Sequence, residues 1–209
     1  MALLNQTSQL IQRWQANDEL KVAKTPLGVS GILLGLLKDH FSYNSQQFKY
    51  VSNPIESKIL LDLHQQWKPE NCENYPGVYV RRQNWIPRAE TKVIGDHKDF
   101  TLPDGMSIEY WVPITTNYSF ICVGKEYGEI EILLSEVGTY FLVFWEVIAN
   151  ALGFQRMDVV GISPVGILQE NKNYRTGQVD LSLLFDFPWK ITLEKPILRK
   201  VRPEVEGMV

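Results

Sequence analysis

The stretch from Glu129 to Leu152 constrains this chain more than any other. Ile130, Leu133, Leu134, Val137, Tyr140, Phe141, Phe144, Trp145, Ile148 and Leu152 recur at the i, i+3, i+4 spacing of a helix, and Gly153 follows where a left-handed cap belongs. Ile132, Leu142, Val143 and Val147 fill much of the opposite side. A helix apolar nearly all round needs cover on two sides. A sheet supplies one cover, and an N-terminal helix or a second subunit supplies the other. Two runs imitate a membrane segment. Leu27 to Leu37 carries Gly31 and Gly35 at the spacing of a membrane dimerisation face but stops at Lys38 and Asp39, short of the required length of about 20 residues. Val137 to Trp145 is shorter and bracketed by Glu136 and Glu146. Both are expected as buried helices, and no membrane is expected as a partner.

The rest of the chain supplies the layers. Residues 1 to 25 read as an N-terminal arm or helix, with Leu10, Ile11 and Trp14 at helical spacing before the charged stretch Asp18 to Lys24. Pro26 opens a helix over Leu27 to Phe41, whose Gly28, Ser30, Gly31 and Gly35 would let a neighbouring backbone come close. A third helix is expected over Pro54 to Trp67, where Ile59, Leu60, Leu63 and Trp67 share a face and Pro69 ends it.

From Tyr75 the period changes to two. Val78 to Val80 form a strand that runs through Arg81 and Arg82 and stops near Trp85 and Pro87; Arg88 to Gly105 is a charged hairpin connection with a small strand near Lys92 to Ile94. Ile108, Tyr110 and Val112 begin one long strand reaching Val123, irregular at Pro113. Met157 to Leu168, kinked at Pro164, and Val179 to Phe185 make a final hairpin around the tip Gln169 to Gly177. After Pro188 the tail alternates Ile191, Leu193 and Ile197 with Lys190, Glu194, Lys195, Arg199 and Lys200, an arm suited to a sheet edge.

The fold class expected is therefore α+β, a mostly antiparallel sheet of four to five strands with one long helix packed on it, N-terminal helices and extended arms at both ends. Residues 26–187 form one domain, with 42–74 inserted, and 188–209 form the C-terminal arm.

Chemistry is sparse. Lys and Arg total 21 against 24 Asp and Glu, a net charge of -3, which excludes a general nucleic-acid coat. The two cysteines, Cys72 and Cys122, make neither a disulfide framework nor a zinc pattern, and no basic, apolar leader opens the chain. P-loop, dinucleotide, nucleophile-elbow and two-histidine motifs are missing, and His40, His64 and His97 stand far apart.

A metal-dependent nuclease would need Asp104 and Glu109 followed by a Lys two residues on, where Trp111 stands instead. Asp96, His97 and Asp99 fit a hydrophilic loop, and Glu126, Glu129 and Glu131 complement a helix N-terminus. No enzyme, cofactor or metal is expected. The 6 Trp, 9 Tyr and 9 Phe exceed what one modest core hides, and Trp14, Trp67, Trp85, Tyr174 and Trp189 fall in arms, a loop and a hairpin tip. Arg81, Arg82, Arg88 and Lys92 flank Trp85, while Lys172 and Arg175 flank Tyr174; with a negative chain, these favour protein partners over nucleic acid.

The order from Tyr75 is a strand opening Tyr75-Pro76-Gly77-Val78-Tyr79-Val80, a charged loop, a long strand, one long helix, and a wide hairpin ending Val179-Asp180-Leu181-Ser182-Leu183-Leu184-Phe185. Over about Leu27 to Phe187 this resembles the tail terminator proteins of tailed bacteriophages. The resemblance implies a hexameric ring that docks on the last tube ring, ends tail polymerisation and faces the neck. The added arms and insert look suited to gripping a contractile sheath.

Implied partners are copies of the chain, the tail tube, the sheath and neck or stopper proteins, with DNA only passing through the lumen. The implied location is the virion, after synthesis in the host cytoplasm. Arg81, Arg82, Trp85, Arg88, Tyr174, Arg175, Trp189 and Arg199 are the expected interface residues. An adaptor or stopper of the same neck is the alternative reading; a nuclease and a dimeric ligand-binding or regulatory domain are others.

Overall fold

Clean alternation in Val179, Leu181, Leu183 and Phe185 puts all four on one face of a strand, and all four are buried there. In the computed structural model, which describes residues 25–43, 47–64, 68, 72–87, 98–99 and 107–192, that strand is the axis of the fold. It is β7 (Arg175–Thr192), paired antiparallel with β4 (Ser107–Gly124) over the full length of both, from Ser107 opposite Thr192 to Gly124 opposite Arg175.

β2 (Gly77–Pro87) lies antiparallel on the far side of β4, and β1 (Leu60–Leu63) runs parallel to β2 at one edge. β5 (Arg156–Ile162) is antiparallel to β7 at the other edge. The order is β1-β2-β4-β7-β5, with the two-residue strands β3 (Lys98–Asp99) on β4 and β6 (Gly166–Ile167) on β7. The α+β class, the mostly antiparallel sheet and the packed long helix are as the sequence implies.

Both helices described lie on one sheet face. α1 (Pro26–Tyr43) buries Val29, Leu33, Leu36, Leu37 and Phe41, and its neighbours in the sheet are β1 and β2. α2 (Tyr127–Leu152) carries the chain from β4 to β5 and covers β4, β7 and β5. Phe141 stacks on Phe120 of β4 at 4.6 Å between ring centroids, a fully buried pair in which each ring contributes about 2–3 kcal/mol of transfer free energy.

Gly177 lets the layers meet, because a Cβ there would sit 2.5 Å from Leu134 Cδ1. Gly153 ends α2 at φ 65°, with its N–H donating to the Ala149 carbonyl. By length and apolarity α2 also matches a membrane-crossing helix, but half of that window is buried against the rest of the chain.

The expected third helix over Pro54 to Trp67 is not there. Pro54 to Glu56 make a turn, and Leu60–Leu63 is β1. Ile59 and Leu61 enter the core while Leu60 and Asp62 do not, a period of two imposed by the neighbouring strand; Leu60 N–H donates to the Pro76 carbonyl at 2.9 Å. The Ser57 hydroxyl, donating to the Ile59 carbonyl at 2.6 Å, ties the turn just before it. Gly31, expected to admit a neighbouring backbone, faces open space. The small strand expected near Lys92 to Ile94 lies outside the described residues.

Candidate interaction surfaces

A bulge decides where Trp85 goes. Arg82 is opposite Tyr118 and Trp85 opposite Thr116, so β2 spends one extra residue and Trp85 turns to the helix-bearing face. There its ring meets Phe185 and Phe187 edge-on at 5.2 and 5.6 Å. Trp85 is thus half-buried packing, a correction to its expected place among free interface rings. Tyr174 is corrected more strongly. Its N–H donates to the Asn171 carbonyl and its carbonyl accepts from Leu168 N–H, folding the tip back. The ring is only 6% exposed, in a small second core with Cys72, Tyr79 and Val123 on the sheet face away from the helices.

Arg81 and Arg82 are exposed. They continue β2 past the end of β1 and line one cleft of about 430 Å³ with His64, Thr25, Leu27 and Ser30. Burial lowers the His64 pKa, and Arg81 lowers it further against the opposing pull of Glu170, so the positive charge of this cleft rests on the two arginines. Arg175 is spent locally, donating to the Lys172 carbonyl at 3.1 Å. The backbone at Trp189 pairs with Tyr110, which places residues 189–192 inside β7. Arg88, Arg199, Asp104, Asp96 and His97 lie outside the described residues, and Glu109 is placed on β4 opposite Lys190. No cluster of potential metal ligands occurs among the described residues.

The open sheet face carries a polar ladder that sequence reasoning missed. Gln83 Nε2 donates to Ser119 Oγ at 3.1 Å, Ser119 Oγ donates to Asp180 Oδ1 at 2.6 Å, and Gln178 Nε2 donates to Asp180 Oδ2 at 3.0 Å. Ser119 is fully buried beneath its neighbours, and the ladder joins β2, β4 and β7 side by side. The only hint in the sequence is the polar half of each alternating strand.

α2 exposes two apolar flanks. On one, a Cβ at Gly138 would approach Ile162 Cδ1 of edge strand β5 to 2.5 Å, so the Gly138 side of the helix overhangs that edge. Leu142 and Trp145, one and two turns on along the same row, are 54% and 42% exposed, and Val160 and Ile162 of β5 are exposed too.

The other flank faces the end of α1. His40 Nε2 lies 3.2 Å from Glu136 Oε1, with its ring 4.5 Å from that of Tyr140. Beside this contact runs an open groove of about 680 Å³ lined by Glu131, Ile132, Thr139, Val143 and Phe144 among others, with Val143 62% exposed. α1 therefore covers α2 only in part. Burial raises the Tyr140 hydroxyl pKa beyond the usual phenol range, with Asp39 adding to the rise, so that hydroxyl stays neutral at the groove wall. No protein-family model matches the chain, and no curated protein matches it either.

Proposed function

We propose that this chain is a structural ring subunit of a tailed-phage virion, a tail terminator that caps the tail tube, ends its polymerisation and meets the neck. The observation that carries the reading is the pair of unlike apolar flanks on α2, one toward the edge strand β5 and one toward the end of α1. A closed ring needs each subunit to present two different surfaces, one for each neighbour, whereas a two-fold dimer needs only one. The element order of sheet, charged connection, long helix and final hairpin supports the same reading through the resemblance. Arg81 and Arg82, exposed at the β2 edge, offer a contact for an acidic tube, sheath or neck surface.

The test is electron microscopy of tail tubes mixed with gold-labelled chain. Label at one end of each tube, in a ring of six, is the expected image. Label spread along the tube, or absent from it, overturns the reading, and label on the head side of the neck assigns the chain to the adaptor or stopper class. A parallel incubation with DNA and magnesium or manganese is expected to leave the DNA intact; cleavage lost in Asp104→Ala would make the protein a nuclease.

A further inference from the structure

The groove beside His40 has a sign as well as a shape. α2 carries Glu129, Glu131, Glu136 and Glu146 and no lysine or arginine, and Glu131 and Glu136 stand in the groove with Ile132 and Val143. Its occupant should be an apolar segment with positive charges at close intervals. One stretch of this chain fits: Lys195 to Arg202 holds Ile197, Leu198 and Val201 among Lys195, Arg199, Lys200 and Arg202. By contrast, residues 1 to 24 mix Arg13, Lys21 and Lys24 with Asp18 and Glu19.

Chain length decides whose segment it is. α2 runs along β7, with Leu134 over Gly177 and Phe154 beside Phe185 at 5.5 Å between rings. The groove ends at Phe144, midway between those markers, and so stands near Leu181. From there to Thr192, the last residue of β7, is about 36 Å at roughly 3.3 Å per residue. Val201 lies nine residues beyond Thr192 and can reach at most about 32 Å even fully extended, Ile197 only about 18 Å. Residues beyond Arg202 that could reach farther carry Glu204 and Glu206, the wrong sign for an acidic groove. The chain's own basic segment therefore falls short of its own groove.

We propose that Lys195 to Arg202 of one copy docks in the α2 groove of a neighbouring copy, with Ile197, Leu198 and Val201 against Ile132 and Val143 and the cations facing Glu131 and Glu136. The contact deepens the ring reading and rests on its premise that copies of this chain assemble. It is heterologous, arm to groove, and so propagates in one direction round a ring.

The test uses full-length chains of two sizes, one bearing Val143→Cys and the other Leu198→Cys, mixed and treated with a short bis-maleimide. Cys72 and Cys122 are buried, so the unsubstituted chain is the blank. The expected result is a mixed cross-linked pair, its yield falling with added salt. Glu131→Lys lowers that yield about two- to fivefold, the scale of one exposed ion pair, and Arg199→Glu on the other chain restores it.

Three results would overturn the arm contact: no mixed pair; a cross-link confined to single chains when both cysteines are on one polypeptide; or Val143→Cys capturing Trp14→Cys in place of Leu198→Cys. Light scattering on the same samples separates the two readings. Oligomers without the arm cross-link leave the ring standing and remove only this contact, whereas a cross-linked pair that never closes beyond two copies removes the ring and keeps the contact.

Discussion

Single polar atoms in this sheet have unequal fates. Thr116 is 1% exposed between Trp85 and Leu183, and its hydroxyl has no hydrogen-bond partner. Burying such a group costs about 1–3 kcal/mol, so Thr116→Val, which keeps the shape and removes the oxygen, is expected to stabilise the protein by about 1 kcal/mol in urea unfolding. Ser119 is the opposite case, since its hydroxyl links Gln83 to Asp180; Ser119→Ala is expected to cost about 1–3 kcal/mol by the same measurement.

Asp39 gives a pH signature. Burial raises its carboxyl above the ordinary 3.8, opposed by nearby His40. Between the unfolded and folded values the native state holds a proton the unfolded chain has released, so stability falls as pH rises through that interval. Asp39→Asn is expected to lessen that decline, seen as a urea midpoint that drops less across the carboxylate range; the share from Glu129, whose carboxyl burial also raises, stays in place.

At the scale of elements, the long ones were legible because their periods are unambiguous. α2 and its Gly153 cap, the eighteen-residue β4 and the alternation of β7 all follow from spacing alone. β1 was not legible: four residues, Leu60–Leu63, carry too little pattern to separate a helical face from a strand, and pairing with β2 settles it. The surface residues divided for a related reason. The charges of Arg81 and Arg82 are read directly from the sequence, while the place of Trp85 depends on a one-residue bulge and that of Tyr174 on a folded-back tip, neither of which has a signature at this length.

The bulge itself makes an unusual prediction. Deleting Asn84 leaves one residue between Arg82 and Trp85, matching the one between Tyr118 and Thr116, so Trp85 keeps its place on Phe185. The deletion is expected to fold with its near-ultraviolet aromatic signal intact. Trp85→Ala, which empties the half-buried ring site without changing register, is expected to lose about 2–3 kcal/mol.

Among the described residues, both helices lie on one sheet face, and a polar face, a basic cleft and two apolar flanks of α2 stand exposed. Its two thiols are sealed: burial raises both, Cys122 most strongly. Neither is expected to react with Ellman's reagent at mildly alkaline pH until denaturant is added, and rapid labelling of the native protein would contradict the packing described.

The topology also sets a timetable. β4 and β5 never touch each other; β7, the latest of the three in sequence, slots between them. Until a ribosome has released residues 175–187, β4 lacks one neighbour, β5 lacks the one it has among the described residues, and α2 covers a sheet with a missing plank. The growing chain thus carries its most apolar helix through synthesis over an open seam, a state exposed to misassembly and relieved only by the insertion of a central strand.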